Sequence, residues 1–151
     1  MSAADELRID REHLARWCKG DEDAVRFLMQ FFYACHFWDD LVDGDHDRST
    51  EVVDVMWLCM VDIPANPFYR QHFDALHPVI VAAGNDWLAA NELERKGDLD
   101  IAYTLRCSIL TVVAHAAYII GGPLWAREVG LEIRRYGQRQ TLQEYKEEHH
   151  A

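Results

Sequence analysis

No stretch of this chain alternates apolar and polar residues with period two over a useful length, while helix starts and stops recur along its whole length. That pattern excludes a sheet-based fold and leaves an all-α one. Asp10 can cap a short helix that Gly20 ends, and Asp21 can cap a second that runs to Asp43 with Gly44 as its stop. Ser49 or Asp47 can start a third, ending before Pro64. Asn66-Pro67 pairs a cap with proline at the first helical position. The helix it opens is predicted to bend or break near His77-Pro78 and then continue to about Lys96, ahead of Gly97. Asp98 is predicted to cap a helix reaching Ile120, which Gly121-Gly122 closes before Pro123 opens a last one. The sum is a single domain, residues 1–151, folded as a bundle of six or seven helices. The Asp21–Asp43 and Asp98–Ile120 segments are apolar over most of their circumference and belong at its centre. Residues 140–151 read as a charged, solvated helix end, free to fray.

Composition narrows the function classes. With 151 residues, half of them apolar, the chain can bury a proper core. A net charge of −11 argues against nucleic acid and against an anionic membrane, both of which call for excess Lys and Arg. The longest apolar run, Ile109 to Ile120, is interrupted by His115 and is too short to span a bilayer. The start, MSAADELRID, is acidic and polar, unlike a signal peptide. Cys18, Cys35, Cys59 and Cys107 lie far apart without metal-ligand spacing and read as small buried hydrophobes of a reducing cytoplasm.

The segment FWDDLVDGDHD puts five carboxylates into nine residues at the end of a strongly apolar helix. Asp39, Asp40 and Asp43 share one broad helical face, and His36 joins it one turn earlier. Like charges at these spacings repel by roughly 0.2–0.5 kcal/mol per pair. Carboxylates at the negative end of a helix dipole lose up to about 1 kcal/mol each. A divalent cation would reverse both penalties, and Mg²⁺ is the hard ion that takes carboxylate oxygens and shares its waters with phosphates. The alternative is a solvated turn in which Asp45 and Asp47 cap the next helix.

Asp39-Asp40-Leu41-Val42-Asp43 resembles the first aspartate-rich motif, DDxxD, of class I isoprenoid synthases. The resemblance implies Mg²⁺ held by these carboxylates and, through it, a substrate diphosphate. The segment Asn85–Glu94 starts like that family's second metal motif, then places Ala89 and Leu93 where a hydroxyl and a carboxylate belong. The layout also resembles small helical proteins of unassigned role from tailed bacteriophages, on the W-D-D-L-x-D-x-D and N-P-F-Y segments.

Arg106 falls on the apolar stripe of its helix, where a guanidinium needs a carboxylate or phosphate. Asn91 and Glu94 continue the stripe of the preceding helix. They are candidate second-helix metal ligands, Arg106 a candidate phosphate or carboxylate clamp, and His36 a residue supporting the ligands. Arg106 paired with Glu94, or with an aspartate of the cluster, satisfies both helices. No Ser-His-Asp or Cys-His set can be assembled, so no catalytic residue is assigned.

Two functions stay open. One is a Mg²⁺-dependent protein that binds or hydrolyses a diphosphate-bearing small molecule. The other is a non-enzymatic helical interaction module whose acidic surface steers a basic protein partner. A homo-oligomer is compatible with either.

Overall fold

The computed structural model describes residues Asp10–His150, and they are helical with no strand among them. The acidic start, Met1–Ile9, and Ala151 lie outside the described residues, so the signal-peptide expectation is not addressed by them. The described chain falls into two compact units, residues 10–73 and 74–150.

In the first unit, α1 (Arg11–Trp17) is capped by Asp10, whose carboxylate accepts the His13 N–H at 2.9 Å. It buries Leu14 and Trp17. Helix α2 (Glu22–Asp43) has the boundaries the sequence indicates. Asp21 accepts from the Ala24 N–H, and Gly44, at φ +70°, donates to the Asp40 carbonyl. Only a residue without a Cβ adopts that left-handed stop without cost. Burial of α2 is one-sided: Phe27, Leu28 and Phe37 are fully buried, while Trp38, Leu41 and Val42 are exposed. Each buried side chain of that size contributes about 1.5–3 kcal/mol.

A 3₁₀ turn, Ser49–Glu51, leads into α3 (Val52–Trp57). The helical run does not stop before Pro64, as the sequence suggests. It widens into a π turn, Leu58–Asp62, and resumes as Ile63–Ala65. The physical reason is phase. Ile63 bonds back five residues to the Leu58 carbonyl, so the ladder is already re-phased where Pro64 lacks its donor.

Helix α4 (Pro67–Gln71) starts as expected, with Asn66 capping the Tyr69 N–H at 3.0 Å. The same buried Asn66 donates to the Asp23 carbonyl at 2.9 Å and so ties α4 to the start of α2. Phe27 stacks on Tyr69 at 5.0 Å between centroids.

The expected break near Pro78 occurs earlier, at His72, and α5 (Phe73–Lys96) runs through Pro78. Pro78 sits close to the helix start, so the carbonyl it leaves without a donor is that of exposed Asp74 in the first turn, where water can reach it.

In the second unit, the expected Asp98–Ile120 helix is two. Helix α6 (Leu99–Arg106) ends, tight turns cover 107–109, and α7 (Leu110–Gly137) begins. Asp98 precedes α6 but makes no side-chain cap. The break is held from outside. Ser108 donates to Asp86 at 2.7 Å, and Arg134 donates to the Cys107 carbonyl at 3.2 Å.

Helix α7 is itself broken at Gly122 (φ 80°, ψ −176°), where the sequence places a stop ahead of Pro123. Its arms fold back on each other: a Cβ on Gly137 would come within 2.4 Å of Leu110 Cδ2. Arg134 also donates to Thr111 Oγ1 at 3.1 Å. Helix α8 (Leu142–His150) is charged, yet it is docked by Tyr145, which is buried against Leu99 and Ala102. The region Leu99–His150 holds an 18-residue window apolar enough to cross a membrane by length and composition, and 33% of that window is buried. The region is not one straight rod, because it breaks at 107–109, at Gly122 and at 138–141.

Candidate functional site

The aspartate-rich end of α2 is answered by a guanidinium of its own unit. The chain turns at Gly44, and Asp47 accepts the Ser49 N–H at 3.0 Å, which holds its carboxyl below the usual range. This turn carries Arg48 back against the helix. Arg48 donates to Asp40 at 2.9 Å and, with Nε and Nη2, to both oxygens of Glu51 at 2.8 Å. Its guanidinium lies 5.4 Å from the Tyr33 ring centroid and 5.5 Å from that of Phe37. Tyr33 donates its hydroxyl to Glu51.

The side chains of Asp40 and Arg48 are 10% and 15% exposed, so this is a semi-buried, multiply bonded ion pair. Hydrogen bonds from Arg48 and then Tyr33 hold the Glu51 carboxyl down at about 2. The same contacts push the Arg48 guanidinium further up and raise the Tyr33 hydroxyl, chiefly through Glu51.

Of the sequence-assigned residues, Asp40 is therefore buried on Arg48, Asp43 is exposed and Asp39 is half-buried. His36 stacks its ring on Phe32 at 6.4 Å. Among the described residues no three His, Cys, Asp or Glu side chains converge as a metal ion requires.

Arg106, at the end of α6, takes Glu94 on two prongs, at 2.8 and 3.2 Å, and Asn91 on a third at 3.1 Å. Glu94 also accepts from Tyr145 and lies 3.4 Å from His149 Nε2. The Arg106–Glu94 pairing thus forms, and it fastens α8 to α5 and α6.

Burial pushes the thiols up, Cys18 and Cys35 to about 12 and Cys107 to about 11, so these three are poor nucleophiles at neutral pH.

A groove of about 420 Å³ opens beside the Arg48 network. Helix α2 gives it Met29, Gln30 and Tyr33. The α3–π segment gives it Trp57 and Leu58, together with the carboxylates of Asp54 and Asp62. Beyond the groove the same segment turns Val53, Met56, Met60 and Val61 outward; Met60 is 71% exposed and Trp57 58%.

The exposed positions 53, 56, 57, 60 and 61 follow helical spacing, so they form one face. The inner face, with Val55 and Ile63 buried, is apolar as well. Sequence reasoning missed this surface, although the run VVDVMWLCMVDI carries more apolar residues than one helix face can bury.

No protein-family model, curated protein or solved structure matches the chain.

Proposed function

We propose that the chain is a non-enzymatic helical interaction module whose working surface is the outward apolar face of α3 and the π turn. The observation that carries this is the exposure of Val53, Met56, Trp57, Met60 and Val61 at helical spacing on one short segment. Exposed apolar residues scattered singly need no explanation, but a continuous stripe on a soluble surface marks a binding site. The i, i+3, i+4, i+7 pattern is that of anchors used when helices dock. Met and Trp are side chains enriched in such contacts.

The acidic helix end supports the same reading. Asp40, at the centre of the aspartate motif, is engaged by Arg48, and a cation would have to displace a guanidinium that Glu51 also holds. A diphosphate-binding role would draw on Asp39 and Asp43 without it.

The test is a titration with the uncharged dye Nile red, checked against far-ultraviolet circular dichroism. The folded protein binds dye saturably, and Trp57→Gln with Met60→Gln removes most of the binding while the helical signal stays. Equal binding by the double variant, or none by the folded wild type, contradicts the proposal.

A further inference from the structure

We infer that the groove between α2 and the α3–π segment receives a cationic amphipathic helix of a partner protein. This rests on the interaction-module reading and names its partner chemistry. Three observations carry it.

The first is charge. Asp54 and Asp62 both line the groove, and neither carboxylate has an ion pair or hydrogen bond among the described residues. No Lys or Arg lines it. Elsewhere in this unit, Glu51, Asp40, Asp23 and Glu22 are all engaged by arginines. Asp54 and Asp62 are among the acids of this unit that no arginine engages, and they are the ones set in an apolar groove wall, where a cation from outside can meet them.

The second is spacing. Eight residues separate the two acids along a helical run, roughly 10–12 Å at helical rise. That is about two turns, so Lys or Arg side chains at i and i+7 of a docked helix can meet both. Trp57 and Leu58 lie between them in sequence and in the wall, where the partner's apolar stripe would sit.

The third is an acceptor. The Oε1 atom of Gln30, in the opposite wall, is buried and has no hydrogen-bond partner among the described residues. The atom is covered in the free protein, so a docked donor reaches it only once the Gln30 side chain turns toward the groove, which would satisfy an acceptor now left without a bond.

The probe is a short synthetic amphipathic helix of leucine and lysine, compared with the same pattern in leucine and glutamate. Binding is followed by peptide anisotropy at low and high salt, and by the part of the tryptophan emission change that Trp57→Phe removes. The lysine peptide is expected to bind at least tenfold tighter than the glutamate one and to weaken with salt. Asp54→Asn with Asp62→Asn is expected to weaken it about fivefold. Asp45→Asn with Asp74→Asn removes the same charge elsewhere and is expected to leave the affinity unchanged.

Equal binding of the two peptides, or equal loss in both double variants, overturns the cationic occupant. Nile red binding that persists in either case leaves the module reading standing. Concentration-dependent dimerisation that shields Trp57 overturns it in favour of a second copy of the chain. Loss of dye binding by the wild type as well would bring down both readings.

Discussion

Arg48 explains how this chain tolerates Asp40, the buried member of its aspartate cluster. It bonds Asp40 and both oxygens of Glu51 while resting on the faces of Tyr33 and Phe37. Breaking such a pair from one side strands the buried partner, whereas replacing both partners by apolar groups of similar size removes the desolvation cost as well. Arg48→Met is therefore expected to cost about 3 kcal/mol. In a chain of this size that lowers the melting midpoint by roughly 6–12 °C. Adding Asp40→Leu is expected to recover most of the loss. An additive double mutant, measured by urea denaturation, would contradict the coupling.

The neighbouring Glu51 gives a pH signature. Its folded value, about 2, lies below the ordinary 4.5. Its contribution is thus fully present above the unfolded value and is lost as pH falls through the folded one. The difference in urea midpoint between wild type and Glu51→Gln should hold steady above about pH 5 and close toward pH 2. The spacing reads as calling for a positive partner at Asp39, Asp40 and Asp43, and Asp40 has one in Arg48. The partner's identity was not legible, because Arg48 reaches Asp40 across the turn at Gly44, where helical spacing no longer applies.

At the scale of elements, local chemistry was readable and tertiary chemistry was not. Asp21, Gly44, Asn66-Pro67 and Gly121-Gly122 mark boundaries the structure keeps, because caps and left-handed stops are settled by a few adjacent residues. The break at 107–109 depends on Asp86 and Arg134, far away in sequence. The π turn at Leu58–Asp62 has no composition cue of its own.

Gly122 is the sharpest test of a local rule. Its φ of 80° with ψ of −176° belongs to glycine, and a Cβ there meets no neighbour within 4 Å. Gly122→Ala thus isolates backbone strain, expected at about 1–3 kcal/mol. An unchanged denaturation midpoint would mean that the α7 reversal does not depend on this conformation.

For the whole molecule, a net charge of −11 and an outward apolar stripe belong together. Net charge of that size opposes self-association of exposed Trp and Met and, under the proposed interaction role, would favour encounter with a basic partner. The all-α class was legible from the absence of strand periodicity. The outward apolar face of α3 and the π turn was not, since an apolar helix face reads as core until the structure shows what covers it.

At the acidic helix end Arg48 bonds Asp40, so that buried carboxylate has its positive partner without a bound cation. The most direct measurement is thermal melting in millimolar Mg²⁺, in Mn²⁺ and in EDTA. A metal site filled a hundredfold above its dissociation constant adds about 2.7 kcal/mol, or roughly 5–10 °C for a chain of this length. Coincident midpoints are expected in all three. A rise in metal that EDTA reverses and Asp40→Asn abolishes would contradict that expectation.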